Sequence, residues 1–292
     1  MYNDIIFKLS EFAMEAMIYE VSCFPSFGLV SPISSGSHKD MDYFTFVDST
    51  TTLNKYFLEM AYAGYSNDPI NEIFLKVRKI GEKAEKAMYN KTKGINTHKG
   101  MIFVLGLGIT ASSKILYDKG KFDEISKLIK DMTTGIVESE LKNLSTKTNL
   151  TNGEKIFLEY GISGVRGEAE MGFPIVFDYS LDLYNSTKKL GQNNRLVQTL
   201  LGIMSQCQDT TILHRHDYDT LLNLQKNSKN LINLGGFHNL DNISKINNLN
   251  FHNEKNGISP GGCADLLALT IFLSKLKKFY FPLNKINLSC IY

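Results

Sequence analysis

The 292-residue chain is 43% hydrophobic and 21% charged, an ordinary balance for a globular protein long enough to bury a sizeable core. Its net charge of +2 argues against a strongly basic nucleic-acid binder, while leaving room for local basic patches that hold phosphates. Four cysteines, Cys23, Cys207, Cys263 and Cys290, stand far apart with no C-x-x-C pair, so neither a zinc module nor a disulfide framework is indicated, and reduced cytoplasmic thiols are expected.

Met1 to Glu20 mixes Asp4, Lys8, Glu11 and Glu15 among its apolar residues and so lacks the uninterrupted apolar run of a signal peptide. Instead Ile5, Ile6, Leu9, Phe12, Ala13, Ala16 and Met17 recur at helical spacing and predict an amphipathic helix running towards Val21, ended by Pro25 and Gly28. A second helix is expected over Lys55 to Gly64, and a third opens at Pro69 and continues through Ile73, Val77 and Ile80 to Met88. Lys99 to Leu116 follows the possible caps Asn96 and Thr97. Its apolar run, Met101 to Ser112, is well short of the roughly 20 residues of a bilayer span and reads as a core helix. No membrane association is expected.

A long helix is predicted from Asp123 to Asn143, followed by Gly153 to Tyr160, Leu181 to Leu190, Arg195 to Cys207, Tyr218 to Lys226 and Ala264 to Tyr280. Val176 to Tyr179 reads as a short extended piece, and the Asn-rich Leu240 to Gly257 as a surface excursion. With no run of alternating strands and no internal repeat, the expectation is a single all-α domain over residues 1–292, a multi-helical bundle whose site is built from glycine-rich turns at helix ends.

Five polar clusters interrupt the helical pattern. They are Gly36 to Asp42, with His38, Lys39, Asp40 and Asp42; Gly94 to Gly100, with His98 and Lys99; Gly161 to Gly172, with Arg166 and Glu168; Gln208 to Arg215, with Asp209; and Ser259 to Ala268, with Gly261, Gly262 and Asp265. Charged groups of this kind are too costly to bury as filler. Asp40, Asp42, Glu168, Asp209 and Asp265 offer hard oxygen ligands of the type magnesium takes. Lys39, Lys99, Arg166 and Arg215 would balance a polyphosphate, and glycines at helix starts leave N–H groups open to an anion. The combination points to a nucleotide, although no P-loop or dinucleotide fingerprint is present.

Each residue also has a simpler reading. Asp40 could cap the following helix, His38 and His98 could be hydrogen-bonded structural histidines, Arg166 and Glu168 could pair with each other, and Asp265 could complement a helix dipole. What favours a joint site is the recurrence of glycine beside charge in five places. A magnesium-dependent helical hydrolase acting on a nucleotide or ADP-ribosyl substrate, and a non-catalytic helical partner protein, both remain open at this point.

The segments Glu20-Val21-Ser22, Gly28-Leu29-Val30, Ser35 to Asp42, Asn96 to Gly100, Gly164 to Ala169, Asp209-Thr210 with Arg215, and Ser259 to Ala268 resemble, in order, the successive motifs of the triphosphoribosyl-dephospho-CoA synthases. The resemblance implies a cytoplasmic, all-helical transferase that joins ATP to 3′-dephospho-CoA and releases adenine. The product would pass to a separate transferase serving the acyl carrier subunit of citrate lyase or, in a sister branch, malonate decarboxylase. It further implies that the N-glycosidic bond of ATP breaks through an oxocarbenium-like transition state while the triphosphate stays whole.

For such a reaction Asp40, Asp42, Glu168 and His38 are the catalytic candidates. Lys39, His98, Lys99, Arg166, Arg215, Gly261 and Gly262 are the substrate-binding ones, and Asp40, Asp42, Glu168, Asp209 and Asp265 would hold Mg2+. The chain departs from the family pattern in three places. Ser26-Phe27-Gly28-Leu29-Val30-Ser31 stands for Lys-Pro-Gly-Leu-Val-Asp, His216-Asp217 for a glycine pair, and Cys263 for a serine.

Overall fold

Helix follows helix along the computed structural model, which describes residues 4–142, 144 and 148–286, with side chains through 280. In chain order the α-helices are α1 (Asp4–Val21), α2 (Tyr43–Gly64), α3 (Ile70–Lys91), α4 (Lys99–Tyr117), α5 (Ile125–Thr133), α6 (Asn152–Tyr160), α7 (Gly164–Glu170), α8 (Leu181–Ser186), α9 (Gln192–Met204), α10 (Thr210–Arg215), α11 (Tyr218–Asn233), α12 (Ile243–Asn256) and α13 (Gly261–Ile286). Among the described residues there is no β-strand, only one isolated bridge between Ser31 and Ser34. The all-α expectation is met.

The frame is set by α4 and α13. Helix α4 is apolar nearly all round and packs against α1, α2, α3, α5 and α13, which is why a helix without a wet face is stable here. By length and composition it could cross a membrane, yet 78% of its apolar window is buried inside the protein, as a core helix requires. Helix α13 lies against α1, α4, α8 and α9, and one apolar cluster runs through all of these elements. A second, small cluster of Val21, Val30 and Met41 seats the loop after α1 on the end of that helix.

Several elements differ from the sequence reading. Helix α2 begins at Tyr43 and not at Lys55, because a capping box closes its start: the Asp42 carboxylate accepts from the Thr45 N–H at 2.8 Å while the Thr45 hydroxyl accepts from the Asp42 N–H. The expected long helix from Asp123 stops at Thr133. Gly135 then takes a left-handed φ of 80°, and a single π-helical turn, Glu138–Lys142, follows. Asn143, where that helix was expected to end, lies outside the described residues, as does Cys290. Val176 to Tyr179 is not extended but part of another π-helical segment, Ile175–Ser180.

The Asn-rich stretch from Leu240 to Gly257 is no surface excursion, since most of it forms α12, whose asparagines hold the loop after α1. Asn250 Oδ1 accepts from the Phe27 N–H at 2.6 Å, and Asn253 Nδ2 donates to the Phe27 carbonyl at 2.9 Å. The Ser37 hydroxyl donates to the Ile258 carbonyl at 2.7 Å. Phe27 stands where the resemblance leads one to expect proline, and its φ of 54° and its donated N–H are both denied to proline. The departure at Ser26-Phe27 therefore goes with a differently built turn. At Gly28, φ is 92° and an added Cβ would fall 2.0 Å from the Ile258 carbonyl oxygen, so only glycine lets loop and helix end meet.

Candidate active site

All five polar clusters contribute to one cavity of about 700 Å³, within the range of small-molecule sites. The loop after α1 supplies His38 and Asp40; the start of α4 supplies His98, Lys99 and Gly100; α7 supplies Arg166 and Glu168. Asp209 and Arg215 come from the ends of α10, Gly261 and Gly262 from the first turn of α13, and Asp265 from just past that turn. Of the sequence-selected residues, Lys39 and Asp42 are not in the lining, and both are exposed. Asp42 is the cap of α2, and the Thr45 N–H and hydroxyl it accepts hold its carboxyl below the usual carboxylate range.

The bases of the cavity are tied outward. Lys99 Nζ meets Glu85 at 2.6 Å. Arg166 Nε donates to Glu140 at 2.6 Å, and the other oxygen of Glu140 accepts from Arg78 at 2.6 Å, so the partner of Arg166 is Glu140 and not Glu168. Arg215 Nη2 lies 3.3 Å from His38 Nδ1, and His38 Nε2 lies 2.9 Å from the Ser259 hydroxyl. Burial, followed by the charge of Arg215, pushes His38 down to about 4. The ring is thus neutral at physiological pH. With Nδ1 accepting from the guanidinium, Nε2 carries the proton and donates to Ser259, so both nitrogens are occupied.

His98 combines a structural and an open nitrogen. The Thr97 hydroxyl donates to Ser49 Oγ at 2.7 Å, and Ser49 Oγ lies 2.7 Å from His98 Nδ1. Phe46 packs edge-on against the imidazole with centroids 4.9 Å apart, and Nε2 has no partner among the described residues. Burial alone pushes this histidine down to about 3.

The carboxylates divide sharply. Asp209 is buried with its oxygens accepting the N–H groups of Thr211, Ile212 and Cys263, so it ties the starts of α10 and α13 together. Cys207 and Cys263 sit beside it, the three candidate ligand atoms lying within 4.8 Å of one another. Burial raises the Cys263 thiol well above its ordinary value, which keeps this corner protonated. Glu168 is raised by burial, and its Oε2 has no partner among the described residues.

Sequence reasoning did not single out Glu20, Ser49 or Glu140 as site residues. Glu20 ends α1, lines the cavity, is 4% exposed, and is pushed up to about 8 by burial. Its signal was available, since a carboxylate within the apolar register of an amphipathic helix is out of place. Asp265 is raised well above the carboxylate range, first by burial and then by the charges of Glu20 and Asp209. Its Oδ2 lies where a Cβ on Gly100 would be, 1.9 Å away, so the carboxylate rests on the bare backbone of the first turn of α4.

The profile of a family described as ATP:dephospho-CoA triphosphoribosyl transferase matches residues 6–281. Among curated relatives, a probable 2-(5″-triphosphoribosyl)-3′-dephosphocoenzyme-A synthase of Lactiplantibacillus plantarum is 37% identical, covering 89% of this chain and 94% of its own. A counterpart in Streptococcus pyogenes with the same description is 32% identical over 95% of this chain and 99% of its own. The protein CitXG of Leuconostoc mesenteroides subsp. cremoris is 39% identical over 90% of this chain, which spans 58% of that longer protein. No solved structure matches. With a family profile that runs almost from end to end, and full-length relatives above 30% identity, the chain belongs to the ATP:dephospho-CoA triphosphoribosyl transferase family.

Proposed function

We propose that this enzyme condenses ATP with 3′-dephospho-CoA and releases adenine, acting in the cytoplasm and handing its product to a separate transferase that loads an acyl carrier protein such as that of citrate lyase. The observation that carries the reading is the convergence of five sequence-distant polar segments on one cavity holding both bases and unpaired carboxyl groups. Neither a hydrolase nor a non-catalytic partner protein is favoured by the family match.

In the reaction the C–N bond between ribose and adenine breaks with its electron pair leaving on the base, and a hydroxyl oxygen of dephospho-CoA bonds to the same anomeric carbon. The hydroxyl proton goes to an enzyme base, and the adenine takes up a proton. A β-configured donor giving an α-linked product calls for one inverting displacement. Glu168 is the base of choice: burial raises its carboxyl above the ordinary value, and its Oε2 has no partner among the described residues. Asp40, with a side chain 62% exposed at the rim, is placed to stabilise the developing positive charge. His38, with both nitrogens engaged, holds Arg215 towards the phosphates and is not the base. Lys99, Arg166 and Arg215 supply the positive field for the triphosphate, and His98 Nε2 offers a neutral donor to a substrate acceptor.

Magnesium fits the donor set in part. Glu168 Oε2 and the Asp265 carboxyl line the cavity without a hydrogen-bond partner among the described residues, whereas the oxygens of Asp42 and Asp209 are taken by backbone N–H groups. When bound, the ion would neutralise the triphosphate and fix its orientation. The test is to incubate the purified protein with ATP, magnesium and 3′-dephospho-CoA and to follow products by mass spectrometry. Free adenine together with the condensed product is expected; release of phosphate or pyrophosphate without adenine would overturn the reading.

A further inference from the structure

Glu20 and Asp265 face the same cavity from opposite ends of the sequence, one from the last turn of α1 and the other from just past the first turn of α13. Glu20 is buried to 4% exposure, and no hydrogen bond or ion pair engages its carboxyl among the described residues. A carboxyl in that position pays heavily for desolvation unless something else compensates it. No cationic side chain among the described residues does, Lys99, Arg166 and Arg215 lying against Glu85, Glu140 and His38.

Asp265 is likewise without a hydrogen-bond or ion-pair partner among the described residues, and the neighbours that act on it electrostatically are Glu20 and Asp209, both acidic. Helices α1 and α13 pack on each other, with Lys275 meeting Glu15 at 2.7 Å and Phe279 meeting Phe12, so the end of α1 and the start of α13 bring Glu20 and Asp265 into one cavity wall where no cation is paired with either carboxyl among the described residues. Asp265 Oδ2 rests against the bare backbone of Gly100.

We propose that Glu20 and Asp265 form a preformed site for one hard divalent cation of magnesium size, assembled before any nucleotide arrives. Two carboxylates are the usual protein share of such a site, the remaining positions being filled by water and, later, by phosphate oxygens. Both donors are hard carboxylate oxygens, which suits a hard cation, and the oxygens of nearby Asp209 are already engaged by three N–H groups. The cation would supply the positive charge that no side chain gives these two carboxyls among the described residues, at the junction of α1, α4 and α13.

The test uses Mn2+ as the probe and no substrate. Full-length protein, stripped with chelator, is titrated with Mn2+ while the paramagnetic resonance signal of the free ion is followed, and Mg2+ is then added as competitor. Roughly one Mn2+ per chain, displaced by Mg2+, is expected, with Glu20→Gln and Asp265→Asn each weakening binding by about tenfold or more and Asp42→Asn leaving it unchanged. Thermal unfolding in chelator checks that each variant is folded, and either one alone suffices, because each removes one of the two donors. The proposal is overturned by a stripped wild-type protein that takes up no Mn2+ at millimolar concentration, or by undiminished binding in the folded variants. Because the readout needs neither ATP nor dephospho-CoA, its failure leaves the synthase reading standing, and failure of adenine release leaves the cation site standing.

Discussion

Replacing Glu20 by glutamine keeps the shape of the side chain and removes its charge, and the consequence for stability has a definite sign. The carboxyl of Glu20 is raised from 4.5 to about 8 in the folded protein, so the native state binds its proton more tightly than the unfolded chain does. Its presence is harmless below pH 4.5, and it destabilises progressively as pH rises from 4.5 towards 8, with no further change above that. Linkage gives a destabilisation of about 1 kcal/mol at pH 5 and about 4 kcal/mol at pH 8. The variant should therefore gain on the wild type by about 3 kcal/mol between those two pH values.

Part of the gain comes through Asp265, which ionises more easily once its acidic neighbour is gone. The assay is urea unfolding of both proteins at pH 5 and pH 8 in the presence of chelator, with midpoints converted at a common slope. A difference between wild type and variant that stays constant across the two pH values would show that Glu20 is compensated in the protein, and the reasoning about its isolation would be wrong.

Asp42→Ala, which removes an exposed helix cap, should lower the melting temperature by a few degrees and leave adenine release near the wild-type rate; a hundredfold loss would return Asp42 to the catalytic set. Gly100→Ala would ordinarily favour a helix, yet its Cβ would displace the Asp265 carboxylate, so adenine release should fall more than about tenfold without loss of unfolding temperature. Glu168→Gln should cut adenine release by about a hundredfold or more while circular dichroism and unfolding are unchanged, and Asp40→Asn should also slow it; near-normal turnover by both would remove the carboxylates from the chemistry. Ser49→Ala, at a fully buried position outside the cavity lining, should cost about 1–3 kcal/mol in urea unfolding by stranding both His98 Nδ1 and the Thr97 hydroxyl, and a neutral outcome would dissolve that relay.

Helical spacing alone carries most of the fold, because an apolar face must recur every three or four residues wherever a helix packs on a core. It fails where local chemistry overrides propensity. The Ser49 to Thr52 run disguises the first half of α2, whose start is declared instead by the Asp42 and Thr45 box. The asparagines of α12 look like a polar linker because their side chains serve a loop more than 200 residues away in sequence, which no window of local periodicity can register.

The site was legible as a set of segments and less so as a set of roles. Glycine beside charge marked five of the segments that line the cavity, but spacing could not say that Asp209 would turn its oxygens to three N–H groups, or that Arg166 would meet Glu140. Glu20 escaped for the opposite reason. It sits in a motif with no neighbouring charge to draw attention, and its isolation becomes visible only when α13 brings Asp265 beside it.

The clamp between α12 and the loop after α1 also has a temporal side. Phe27 is held by Asn250 and Asn253, and Ser37 and His38 by Ile258 and Ser259, so the loop finds its last contacts only in the final sixth of the chain. During synthesis the N-terminal helices can pack as they emerge, while the motif between them waits unshaped for a partner still to be translated. A nascent chain halted before residue 250 should carry much of its helix content and no competent cavity, which makes the enzyme's activity a report on completion of its own synthesis.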